Sequence, residues 1–319
     1  MKKVKRLLCA IIGCFIILSG CSNGKQVSNE KGKEDPEKLQ IITTFYPMYY
    51  FTKQITGNLA NVEILIPNGV EPHDWEPTSK DMINMQEADV FIYNSRYFET
   101  WTEKVLDSID SSNLNVVEAS NGIGLMDSNI EEEQHDHDED SEATKDPHVW
   151  LSPVLAQKEV DNIAEVLEKA DPKNKEQYEK NADAFKAELT DLDKLYKETI
   201  DKAPRKEFVT QHAAFGYLAK QYRLTQIPIG GLSPDVEPTL AKLAELTDMM
   251  KEKKIKVVYF EELTSPKVAK TLANETGAKT EVLNPLEGLT KDEQEQGLDY
   301  IGVMEKNLEA LKVALYNSK

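Results

Sequence analysis

NVEILIPNGVEPHDWEPTSKD, residues 61–81, reads as a strand, a stiff loop and the start of a helix. Asn61 to Ile66 is rich in β-branched and apolar residues, as a strand in a covered sheet should be. Pro72 and Pro77 restrict the backbone on both sides of His73, so its imidazole is presented from a loop with little freedom. Thr78 followed three residues later by Asp81 has the form of a helix N-cap. His73 therefore tops a strand, at the sheet edge where open α/β folds bind ligands. A lone loop histidine is more often an ordinary polar residue than a ligand.

The same grammar recurs on either side. Residues 39–44 form a β-branched strand, and helices over 46–57 and 79–88 alternate with strands at 61–66, 89–94 and 114–117. Asp146-Pro147-His148 lies just before Ser152-Pro153, an N-cap and first-turn proline that open another helix. Residues 207–211 make a strand ending at His212, with a helix expected over 213–222. Strands at 226–229, 255–260 and 279–283, an amphipathic helix over 239–253 and a closing helix over 291–316 complete the pattern, and Glu287 follows the last strand. Between the halves, residues 171–203 carry Tyr178, Phe185, Leu189, Leu192 and Tyr196 on one helical stripe, which predicts a rigid strut. The expected fold class is α/β: two similar domains, 39–170 and 204–319, each with a mainly parallel sheet flanked by helices, joined by one long helix.

The N-terminus predicts export. Lys2, Lys3, Lys5 and Arg6 precede an apolar run from Leu7 to Leu18 that is shorter than the roughly 20 residues of a spanning helix. Leu18-Ser19-Gly20-Cys21 closes it in the manner of a lipoprotein cleavage site, with Cys21 as the lipidated residue and residues 21–38 as a polar flexible tether. Cys9 and Cys14 would leave with the leader, so the folded part would hold no free thiol. Disulfides are excluded, and a transition metal there would need histidine and carboxylate ligands. Loss of the leader's four positive charges takes the formal charge from −18 to −22, a surface that repels nucleic acid and attracts cations.

Residues 127–146 hold ten acids and two histidines with almost no apolar content, which predicts a solvated loop. His135 and His137, two apart, are candidates for weak auxiliary cation binding; incidental histidines in an acidic loop are equally compatible. His73, His148, His212 and Glu287 all fall at helix starts or strand ends, two from each half. Three imidazoles and a carboxylate suit tetrahedral Zn(II). Their separations of 75, 64 and 75 residues match no local metal motif, and four unrelated polar residues remain an alternative on spacing alone.

Taken together, Cys21 in its lipobox, TTFYP (43–47), VEPHDWEPT (70–78), DPHVWLSP (146–153), TQHAAFGYLA (210–219), GGLSPDVEPT (230–239) and NPLEGLT (284–290) resemble the zinc-binding lipoproteins of the cluster A-I family, the solute-binding components of zinc and manganese ABC importers. The resemblance runs from about residue 39 to the C-terminus. It implies a non-enzymatic receptor, monomeric and lipid-anchored outside the cell membrane, that captures Zn(II) and passes it to a membrane permease driven by an ATPase. It implies His73, His148, His212 and Glu287 as metal ligands, with Tyr46, Trp75 and Trp150 as pocket wall. Manganese members, some linked to adhesion, are similar but carry a carboxylate where this chain has His212, and nitrogen-rich sites favour zinc. A three-histidine zinc hydrolase is the reading from another class; it would need an open position for water.

Overall fold

The structure, a computed structural model, describes residues 38–128 and 144–316. Cys21, His135 and His137 lie outside the described residues. In the first half the elements run β1 (Leu39–Thr43), α1 (Tyr46–Thr56), β2 (Ala60–Ile64), α2 (Ser79–Glu87), β3 (Val90–Tyr93), α3 (Thr102–Ser108), β4 (Asn115–Glu118) and α4 (Pro153–Ala170). The long helix α5 (Lys175–Asp201) follows. The second half holds β5 (Glu207–Thr210), α6 (Gly216–Gln221), β6 (Thr225–Pro228), α7 (Leu240–Lys253), β7 (Val257–Phe260), α8 (Lys267–Thr276), β8 (Lys279–Val282), α9 (Lys291–Glu295) and α10 (Tyr300–Leu315).

Both sheets are parallel and share one topology, β2-β1-β3-β4 and β6-β5-β7-β8. Parallel strands need crossovers, and here helices supply them, so the loops after the strands gather at one edge of each sheet. Those loops carry the four candidate ligands. Local signals hold where the chemistry is strong: Thr78 and Asp81 form a reciprocal capping box, and Ser152 caps α4 with Pro153 in its first turn.

Three elements depart from the sequence expectation. The helix after His212 begins at Gly216 instead of Ala213, and the Ala213 N–H ties the preceding loop to the Gly231 carbonyl at 2.9 Å. The closing helix is two: Gly297 adopts φ 69°, and Asp299 restarts the chain by accepting from the Gly302 N–H at 2.9 Å. Helix α8 is absent from the sequence expectation, although its buried face of Ala269, Leu272 and Ala273 follows helical spacing.

Strand alternation explains the core. Phe208, Val257 and Tyr259 point to one face of the second sheet and join a single apolar cluster that also contains Ile41, Phe51, Val90, Leu167 and Phe185 of the first half and the connecting helix. Val209 and Val258 point to the opposite face and form a smaller cluster with Leu246, Met250 and Leu272. The connecting helix α5 is thus part of a shared core, packed against α1, α4 and α10. Phe185 on α5 meets Tyr50 and Phe51 at 5.6 and 5.5 Å between ring centroids, and Tyr196 donates its hydroxyl to the Met304 carbonyl at 2.6 Å. No helix among the described residues is long and apolar enough to cross a membrane.

If the strut is core, truncating it should unfold both halves together. Phe185→Ala should lower unfolding free energy by about 3–5 kcal/mol in urea denaturation, as a single transition, whereas Leu195→Ala, on the exposed face of the same helix, should change it by less than about 1 kcal/mol.

Candidate metal centre

His73 is held by its own loop. Both Glu71 carboxylate oxygens accept from the His73 backbone N–H, at 3.1 and 3.2 Å, and the Trp75 N–H closes a turn onto the Pro72 carbonyl. His148 precedes the 3-10 turn Val149–Leu151, and Asn94 Nδ2 donates to the Pro147 carbonyl just before it. Its Nδ1 donates to Asp146 Oδ1 at 2.8 Å, which leaves Nε2 free of a proton in the neutral ring. His212 lies two residues beyond the end of β5. Its carbonyl accepts from Thr210 Oγ1 and Gln226 Nε2, and its Nδ1 stands 2.7 Å from Glu261 Oε1 at the end of β7.

Glu287 sits in the loop after β8, where Leu286 adopts a left-handed φ of 61°. For a branched side chain this costs about 1–3 kcal/mol, and a buried polar network holds it in place. The Leu286 N–H donates to Asn284 Oδ1 at 2.7 Å, Asn307 braces the Asn284 backbone from α10, and Asn284 Nδ2 reaches Glu293. The first half holds the loop as well: Trp150 Nε1 donates to the Pro285 carbonyl, and Asn68 Oδ1 accepts from the Leu289 N–H.

These four loops bring His73, His148, His212 and Glu287 to one point, their ligand atoms all within 4.8 Å of one another. It is the one such group of three or more among the described residues. Glu287 Oε1 lies 3.2 Å from His73 Nε2, 3.6 Å from His148 Nε2 and 3.5 Å from His212 Nε2. A tetrahedron with metal–ligand bonds of about 2.0–2.1 Å has edges of about 3.3–3.4 Å. The spacing therefore fits one small ion at the centre. His148 and His212 are fully buried, and both leave Nε2 without a hydrogen-bond partner, an arrangement that is costly unless something binds there.

Of the three aromatic residues expected to wall the site, Trp150 lies against His148 at 5.2 Å between ring centroids. Trp75 makes its ring contact with Trp101, and Tyr46 with Tyr50. The wall that sequence reading missed is Phe98, 4.7 Å from His73 and 6.2 Å from His148. The buried partners Asp146 and Glu261 were also missed. An aspartate two residues before a histidine, and a glutamate ending the clearest strand, were the available signals.

Electrostatics divide the histidines. Burial depresses the His73 pKa and outweighs Glu287, since no second carboxylate reaches its ring. Burial acts the same way on His212, but the Glu261 and Glu287 carboxylates overcome it and push the pKa up to about 10. His148 is raised too: burial is again opposed, by Asp146 and Glu287. Glu287 is held well below the usual carboxylate range, because three imidazoles outweigh its burial. Burial and the nearby Glu287 charge push Glu71 up to about 8.

The zinc-uptake complex component A family (ZnuA, periplasmic) has a sequence profile that matches residues 41–314. The chain belongs to that family. It is 56% identical over 312 residues to the high-affinity zinc uptake system protein ZnuA of Bacillus subtilis, covering 97% of each. It is 49% identical to the zinc-binding lipoprotein AdcA of Streptococcus pneumoniae, with 98% of this chain spanning 61% of AdcA. The crystal structure of the Zn(II)-bound ZnuA-like domain of AdcA superposes with a TM-score of 0.75 at 48% identity, covering 88% of this chain and 100% of that one. Members of this family are components of metal uptake, and the fold and the four-residue cluster described above fit that role.

Proton linkage follows from the charges. His212 is protonated in the metal-free protein up to about pH 10 and must be neutral to coordinate. Calorimetric zinc titration at pH 7.5 in buffers of differing ionisation enthalpy should therefore report release of about one to two protons per ion. Affinity should rise with pH up to about 10, changing about tenfold per pH unit for each proton released. Uptake without proton release would contradict the charge state derived for His212.

Proposed function

We propose that this protein is an extracytoplasmic receptor that captures Zn(II) as its cargo and delivers it to an ABC importer, with His73, His148, His212 and Glu287 as the four ligands. The observation that carries this reading is the convergence of three Nε2 atoms on one carboxylate oxygen at tetrahedral edge lengths. Two relatives named for zinc support the choice of ion, as does the chemistry of the donors. Three nitrogens and one oxygen suit zinc, whereas manganese prefers oxygen. The cargo binds between the ends of two parallel sheets, two ligands from each half. With a carboxylate at the fourth corner, no position remains for an activated water, which removes the basis for hydrolysis.

The leader over 1–20, lipidation at Cys21, the tether to residue 38, the two domains 39–170 and 204–319 about the 171–203 connection, and a monomeric state belong to the same reading. Export with a lipid tether would hold the receptor beside its permease, and the acidic surface would draw cations toward it. For the chain without its leader and tether, zinc should bind at one tight site, and His212→Ala should weaken it by at least about 100-fold in calorimetric titration. His212→Glu should move preference toward manganese. Equal manganese and zinc binding by the unmodified protein, or an unchanged zinc site in His212→Ala, would overturn the assignment.

A further inference from the structure

The motif TQHAAFGYLA contributes His212 to the centre, but its Phe-Gly-Tyr segment supplies none of the four clustered side chains. Gly216 and Tyr217 open α6 in the second half, and both meet the segment of the first half that leads into His148. A Cβ at Gly216 would lie 2.6 Å from Asp146 Oδ2 and 3.1 Å from the Met126 methyl, with the backbone at an ordinary φ. Only a residue without a side chain lets the Asp146 carboxylate occupy that space. The Tyr217 hydroxyl donates to the Asp146 carbonyl at 2.7 Å and accepts from the Met126 N–H at 2.9 Å, so one phenol ties two neighbouring chain segments together. Those segments also pair directly, the Asp146 N–H donating to the Met126 carbonyl at 2.9 Å.

Asp146 has a single use for its other oxygen. Oδ1 accepts from both the His148 backbone N–H, at 3.0 Å, and the His148 ring Nδ1, at 2.8 Å. That pair of bonds fixes the ring plane and aims Nε2 at the centre. Tyr217 is almost fully buried and could serve as packing alone. Its hydroxyl, however, satisfies two backbone groups on the first half while its ring belongs to the second, which packing does not require.

We propose that Tyr217, with Gly216 beside it, is a positioning residue that holds Asp146 on His148 from the opposite half of the molecule, so that His148 is aimed at the ion only while the two halves are joined. This rests on the reading of His148 as a zinc ligand. Separation of the halves would withdraw the phenol and the glycine surface together. The Asp146 carbonyl and the Met126 N–H would then lose their shared partner, and the Asp146 carboxylate would gain room beside α6, weakening its hold on the His148 ring. Retention of the cargo would thereby depend on the contact between α6 and the segments around Met126 and Asp146.

The test uses the exported domain with its zinc. Tyr217→Phe keeps the ring and removes only the hydroxyl, Gly216→Ala fills the space of Asp146 Oδ2, and Tyr259→Phe serves as control. Tyr259 is a buried tyrosine whose hydroxyl donates to the Ala310 carbonyl of α10 and bonds no ligand or ligand-bearing loop. Zinc release is followed by chelator competition, and the exchangeable Nδ1 proton of His148 by NMR of the zinc-loaded protein. Removal of such orienting partners costs about ten- to a hundredfold in metal affinity. Tyr217→Phe and Gly216→Ala should both release zinc about tenfold faster and lose the protected His148 proton signal, with Tyr259→Phe unchanged in both. Release no faster than in Tyr259→Phe, or faster release with the His148 signal intact, would overturn the proposal. His148→Ala separates the two levels: if it binds zinc as tightly as the unmodified chain, the ligand assignment itself fails.

Discussion

A buried carboxylate facing three imidazoles is the interaction on which the rest of this structure depends. Glu287 is almost fully buried, and a charge in that position is costly unless it is paired. In the metal-free protein the histidines pair it, and when an ion is bound the ion does. The distances from Glu287 Oε1 to the three Nε2 atoms are close to the edges of a tetrahedral site. The same charges set the competition between protons and metal, with Glu261 and Asp146 favouring a protonated imidazole at His212 and His148. Those carboxylates also raise the basicity of the nitrogen that would bind the ion, so they act on both sides of the equilibrium.

Holding four side chains from distant loops at one point requires a rigid frame. The two sheets supply the loop ends, and the shared core around α5 supplies the rigidity. Trp150 joins the two functions. Its ring lies on His148, its indole N–H donates to the carbonyl before Leu286, and its own carbonyl accepts from the Tyr300 hydroxyl of α10. The strain at Leu286 is tolerated for the same reason: Asn284, Asn307 and Glu293 form a fully buried, mutually bonded group that admits few other backbone conformations.

The three histidines differ in how they contribute. His73 is the ligand nearest solvent and has no carboxylate at its ring beyond Glu287, whereas His148 and His212 are sealed and each is backed by an acid. Burial therefore favours the neutral form of His73, while the acids behind the deeper imidazoles favour their protonated forms.

Much of this was written in the sequence. Alternating strands and helices, the caps at Thr78 and Ser152 and the stripe on the connecting helix are local signals, and local sterics and hydrogen bonding are enough to produce them. Each candidate ligand was legible as a residue at a strand end or helix start, because the α/β plan assigns ligands to that edge. Convergence was not legible, since separations of 64 and 75 residues carry no geometry, and only packing two sheets about one core brings those edges together. The same is true of Phe98, Asp146, Glu261 and Gly216, whose roles arise from distances across the fold. The sequence by itself determined which side chains were available and on what kind of element. The tertiary structure decided which of them face one another, because burial and long-range contact are properties of the packed chain and of no segment within it.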